Sequence, residues 1–224
     1  MNDRIAESGI LRQMKNHVAG DPNGDLPLWW RLRLWIEMKK AFADEAEARR
    51  SFLAMYVFDT LQPLWNKANI PLNYRIVPEL HSFLARSYLL GVTSQNTIEL
   101  ACGDWGKSYE EFSCKCDAEQ YGSVVYFYDA GNYLMLRCMG RDDSYYNHFD
   151  LFSDALSDDV TQRPTEFNFG GTDVWDVHFL GSVLVSGVLW QPDYNNPSLR
   201  RQYWVNWIEN ILPLFTGDIN TARL

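Results

Sequence analysis

Thr172–Phe215, TDVWDVHFLGSVLVSGVLWQPDYNNPSLRRQYWVNWIENILPLF, reads as an apolar helix, a short Pro/Asn turn and a second helix loaded with tryptophan. In the first helix, Val174–Trp190, Thr172 or Asp173 supplies the cap, and Trp175, Phe179, Val183 and Gly187 recur along one side. Gly181, Ser182, Ser186 and Gly187 are small enough to let a neighbouring helix approach closely. Valine and glycine are poor helix formers, so tertiary packing must stabilise this segment. The second helix starts with Asn196 as cap and Pro197 at the first position. Trp204, Ile208, Ile211 and Phe215 follow at spacings of four, three and four, and Trp207 widens the stripe. The Gln191–Asn196 turn is short enough to keep the two helices adjacent, which predicts an antiparallel pair. No nucleophile–base pair, metal-ligand spacing or phosphate loop stands in this stretch.

Helical patterning continues toward the N-terminus. A short first helix gives way to Ala19–Asp25, AGDPNGD, a stretch dense in breakers. Asp25 and Pro27 signal a helix over Pro27–Phe42, with Leu28, Leu32, Trp35, Ile36 and Phe42 near one face and Arg31, Arg33, Lys39 and Lys40 on the wet side. Asp44, Glu45 and Glu47 suit the positive end of a third helix. Leu53, Val57, Leu61 and Leu64 form its stripe, and Pro63 ends or kinks it within the last turn. Pro78–Leu90 makes a compact helix closed by Gly91.

The middle is ambiguous by local propensity. Tyr121–Met139 is rich in Val, Tyr, Phe and Leu, which favour strands, but its length of nearly twenty residues favours a buried helix. Two strands joined at Gly131-Asn132 are the alternative. Without a long Ser/Gly linker, the expectation is mainly α: a single-domain irregular helical bundle over 1–224, with a small β element in the middle as the open variant. Its parts are N-terminal helices (1–91), an acidic middle (92–171) and a C-terminal helix pair (172–216).

Composition narrows the classes. Hydrophobic residues make up 46% and aromatics 15%, enough for a sizeable core and the opposite of a disordered chain. No apolar run approaches the roughly 18–20 residues of a membrane span, and MNDRIAESGILRQMKNH lacks the apolar centre of a signal peptide. A cytoplasmic location is expected. Cys102, Cys114, Cys116 and Cys138 offer no paired knuckles, and Cys114–Cys116 is too tight for a structural zinc site, so reduced thiols and no metal are expected. His17, His81, His148 and His178 are scattered and read as surface or bonded core residues. No cofactor is implied.

Charge is placed unevenly. Glu99–Asp193 holds 17 acidic against 5 basic residues, a net −12, while the remainder holds 12 against 15, or +3, for a chain total of −9. An acidic face repels nucleic acid and anionic membrane and attracts basic protein partners.

Three segments carry a family resemblance: RRSFLAMYVFDTLQPLW (Arg49–Trp65), VWDVHFLGSVLVSGVLW (Val174–Trp190) and RRQYWVNWIENILPLF (Arg200–Phe215). In this order they resemble a family of bacterial polymorphic-toxin immunity proteins, the mostly helical Imm family numbered five. That pattern has a helix ending in Leu-Pro-Leu-Trp, a Trp-Asp helix of small residues, and an Arg-Arg-x-aromatic-Trp helix running to a proline. The pieces cover about 50 of 224 residues, and the middle departs from the Ala-rich helices of the pattern. The resemblance implies a protein that binds and neutralises a cognate toxin domain.

Asp142, Asp143, Tyr145, Tyr146, Asp150, Asp154, Asp158 and Asp159 form the candidate toxin-binding patch. Aromatic anchors among charges are what interface hot spots use. A toxin that is a nuclease has a basic cleft for phosphates, and an acidic aromatic surface could fill it. A hydrolytic or metal-dependent enzyme is the alternative. Glu110 and Glu111 are adjacent, so on a helix they point apart, whereas Asp173 and Asp176 share a helical face that acid–base or metal chemistry could use. Those two aspartates equally suit a cap and an internal hydrogen bond. A structural protein that self-associates through its aromatic surface is the third reading.

Overall fold

In the computed structural model, the structure describes residues 5, 9–67, 78–115, 131, 134–135, 138–139, 177–186 and 195–217. Every regular element among them is helical, which bears out the mainly α expectation. In chain order these are α1 (Ile10–Gly20), α2 (Leu28–Phe42), a 3-10 turn (Ala43–Glu45), α3 (Ala46–Lys67), α4 (Pro78–Leu89), α5 (Gln95–Lys115), α6 (Val177–Ser186) and α7 (Pro197–Asn206). A π-helical turn, Trp207–Ile211, then joins α7 to α8 (Leu212–Thr216).

The C-terminal pair packs as the sequence predicts. Asn196 N donates to the Ser186 carbonyl at 3.2 Å, Tyr203 Oη to the His178 carbonyl at 2.9 Å, and Trp207 Nε1 to His178 Nδ1 at 3.2 Å. Partners descend along α6 as they ascend along α7, so the two run antiparallel. Gly181 permits the approach: a Cβ there would stand 2.2 Å from the Tyr203 hydroxyl. Ser182 and Ser186 are buried beside it. Of the expected first helix, 174–176 and 187–190 lie outside the described residues. Asn196 caps α7 by accepting from Ser198 N and Leu199 N, both at 3.1 Å, the standard remedy for orphan donors at a helix start.

Trp204, Trp207, Ile208, Ile211, Leu212 and Phe215 are all buried. Their spacing of three, one, three, one and three carries one stripe through α7, the π turn and α8, onto α3 and α6. Trp35 and Trp204 both meet Trp207 edge-on, at 6.2 and 5.8 Å between ring centroids, the arrangement aromatic quadrupoles prefer. From α1 come Ile10, Met14 and Val18, at four-residue spacing and all buried. The turn after α1 is closed by Asp21, whose carboxylate accepts from Asn23 N and Asp25 N. Gly24 (φ 69°) passes so near α7 that a Cβ would stand 2.3 Å from the Pro197 carbonyl.

The α2 helix departs from the amphipathic reading. Trp30, Arg31, Leu32, Leu34, Trp35 and Met38 are all buried, and Arg31, expected on the wet side, is fully buried. Its guanidinium donates to the Leu26 carbonyl and lies 5.2 Å from the centre of the Trp204 ring. With an oxygen and an aromatic face to meet it, the charge stays inside. Helix α3 continues one turn beyond Pro63 and ends at Lys67. Helix α4 closes at Gly91, with Val92 N bonded to the Ser87 carbonyl and Gly91 N to that of Tyr88. In the middle, Gly131, Leu134, Met135 and Cys138 are helical and buried, at spacings of three, one and three, and the rest of 121–138 lies outside the described residues.

Trp204 sits at the centre of this packing. Trp204→Ala is expected to lower unfolding free energy by about 3–5 kcal/mol, measured by urea unfolding. A loss under about 1 kcal/mol would mean the stripe is not core.

Candidate interaction surface

The eight residues of the expected toxin-binding patch, Asp142 to Asp159, lie outside the described residues, as do Asp173, Asp176, Cys116 and His148. Glu110 and Glu111 stand exposed on α5. Among the described residues, no group of three or more His, Cys, Asp or Glu side chains is placed to hold a metal ion.

The polar clusters that are described join helices. Arg200, on α7, pairs with Asp25 at 2.7 Å and donates to Ser186 Oγ at 3.1 Å, tying the turn before α2 to the end of α6. Arg201 donates to the carbonyls of Val18 and Asp21, at 3.1 and 2.8 Å, and so caps the C-terminus of α1. Arg49 does the same for α8, donating to the carbonyls of Phe215 and Gly217 at 3.0 and 2.7 Å. Arg50 pairs with Glu47 and lies 5.4 Å from the Trp35 ring centre. Asp59 on α3 accepts from Ser82 and Arg86 on α4. His178 takes the Trp207 indole N–H and lies against Trp35.

The Arg-Arg pairs carry the family resemblance, yet their role is not in the hydrophobic pattern as read above. One signal does mark them. Arg31, Arg49 and Arg200 each stand four residues before a core member, Trp35, Leu53 and Trp204, so each lies on its helix's buried side.

The Asp25 carboxyl has a displaced pKa. Burial pushes it above its ordinary value of 3.8; the Arg200 guanidinium pulls the other way, and Asp21 adds to the rise. Its Oδ1 is buried with no hydrogen-bond partner among the described residues. Desolvation therefore outweighs the ion pair, as it does where one oxygen is left unmet.

Two surface features remain. The hairpin of α4 and α5 exposes Leu80, Phe83, Leu90, Val92 and Leu100; Phe83 is 63% exposed and Val92 79%. Along α5, Asp104, Glu110 and Glu111 are exposed with Lys107. On the opposite end of the chain, α7 and the π turn shape an open groove of about 360 Å³ lined by Gln202, Val205, Asn206, Glu209 and Asn210. Glu209 reaches Lys15 of α1 at 2.7 Å across its edge.

A family model described as Immunity protein Imm5 matches residues 11–214, from within α1 to within α8. No curated protein matches the chain.

Because the Asp25 value is raised on folding, the folded protein holds the extra proton, and stability falls as pH rises from 3.8 through the folded value. Above that window the cost is constant. In urea unfolding at stepped pH, wild type should lose stability relative to Asp25→Asn across the window and run parallel above it. A wild type that gains on the variant there would reverse the sign assigned to burial.

Proposed function

The chain belongs to the Imm5 family of immunity proteins, and from that premise we propose that it binds and neutralises one cognate toxin domain without catalysis of its own. The single observation that carries this is the family match, which spans both the N-terminal helices and the C-terminal pair. The polar geometry supports it: Asp25, Asp59, His178 and the buried arginines are engaged in joining helices. The chain acts as a single helical domain whose interior holds shape and whose exterior binds.

The toxin we infer has a basic cleft of the kind a nuclease uses for phosphates. The acidic middle, with Asp142, Asp143, Asp150, Asp154, Asp158 and Asp159 around Tyr145 and Tyr146, docks there. Opposite charge speeds encounter, and buried aromatics slow release. Among the described residues, no helix is long and apolar enough to cross a membrane, which suits a protein that meets its toxin in the cytoplasm.

Co-expression with the cognate toxin domain is the test. Wild type should protect the cell. Reversing Asp142, Asp143, Asp150 and Asp154 to Lys should slow association at low salt by about tenfold or more, and Tyr145→Ala with Tyr146→Ala should speed dissociation. Salt-independent association and full protection by the four-Lys variant would remove the acidic patch from the interface.

A further inference from the structure

Large apolar side chains are exposed singly on α3, α7 and α8 (Tyr56, Leu199 and Leu214), whereas α4–α5 presents a set of five to solvent. Leu80, Phe83, Val92 and Leu100 are each at least half exposed, and Leu90 is 40% exposed. Leu90 and Val92 form the tight turn that Ser87 and Tyr88 close through their carbonyls, so the two helices hold the set on a fixed frame. The frame is stiffened from behind. Asp59 of α3 grips Ser82 and Arg86 of α4, and Trp105 of α5 is fully buried against Phe58 and His81. Pre-organised apolar groups lose little freedom on binding, which is what makes an anchor strong.

Charge then selects the occupant. Gln95–Lys115 carries four acidic residues, Glu99, Asp104, Glu110 and Glu111, against Lys107 and Lys115. Three of the acids are exposed on the helix that carries Leu100. A second copy of this chain would bring like charges together in a protein of net charge −9, and an anionic membrane would be repelled. A partner with an apolar depression rimmed by Lys and Arg satisfies both the anchor and the rim.

We propose that the α4–α5 hairpin is a toxin-docking surface, with Phe83 and Val92 as its apolar anchors and Asp104, Glu110 and Glu111 as its steering rim, facing a basic-rimmed apolar depression on the toxin domain. This rests on the immunity reading above and adds to it contact residues other than Asp142–Asp159.

The experiment uses the full chain and the purified cognate toxin domain. Phe83→Glu with Val92→Glu should weaken binding about 30-fold or more, the scale of a hot-spot loss, while the unfolding midpoint stays at the wild-type value because both sites are exposed. A photo-crosslinking benzophenone placed at position 83 should couple to the toxin, a readout that survives even if the double variant folds poorly. Charge reversal of Asp104, Glu110 and Glu111 should slow association about tenfold at low salt and much less at high salt. Wild-type affinity in the double variant, with no crosslink from position 83, would overturn the hairpin and leave the immunity function standing. A wild-type dimer made monomeric by the double variant would overturn it in favour of self-association. Failure of wild type itself to bind or protect would instead sink the premise.

Discussion

A guanidinium taken out of water must be met by oxygens or by an aromatic face, and Arg31, Arg49, Arg50 and Arg200 impose that demand on this fold. Each is met from another part of the chain or from an indole or phenyl ring. Arg200 holds Asp25 and Ser186, Arg49 holds the last carbonyls of α8, and Arg31 lies over Trp204. Breaking such a pair leaves a buried charge uncompensated, which typically costs about 3–5 kcal/mol. Arg49 and Arg201 also close the ends of α8 and α1, whose last carbonyls would otherwise be orphaned. The positive charge also suits the negative end of a helix dipole. The interior is therefore specified by directional contacts as well as by apolar area, with the N-terminal third bolted to the C-terminal pair.

Local signals made the C-terminal pair legible. An Asn-Pro start, small residues facing Tyr203, and Trp204 to Phe215 at helical spacing all lie within the segment they shape. Relational features were not legible. Arg31 reads as solvated because it is charged, and only the Leu26 carbonyl and the Trp204 ring, brought from outside α2, place it inside. The π turn at Trp207–Ile211 was not read from the sequence either, although Pro213, which has no N–H to bond the Glu209 carbonyl, marks a break in the regular helix there. Leu80, Phe83 and Leu90 look like core positions in sequence, since exposure depends on what the neighbouring helices cover. The expected patch from Asp142 to Asp159 lies outside the described residues, so its reading still rests on charge and aromatic content.

The interior and the surface of the protein divide the labour. Arginines and tryptophans inside fix the relative positions of the helices. Acidic and apolar side chains outside are then carried on a frame that does not need to rearrange on contact. Rigid presentation favours a slow off-rate, and excess negative charge favours a fast on-rate against a basic partner. An immunity protein needs both, because free toxin in the same cell is harmful for as long as it stays unbound.

Hydrogen exchange of the chain, free and mixed with its cognate toxin domain, tests that division most directly. The account predicts a stoichiometric complex in which exchange slows across α4–α5 and the Asp142–Asp159 stretch. Amides of α7 facing α6 should already be slow in the free protein and stay unchanged. Slowing confined to the α1–α7 groove, or broad slowing through the α6–α7 core on binding, would contradict a rigid scaffold that docks through its acidic, apolar face.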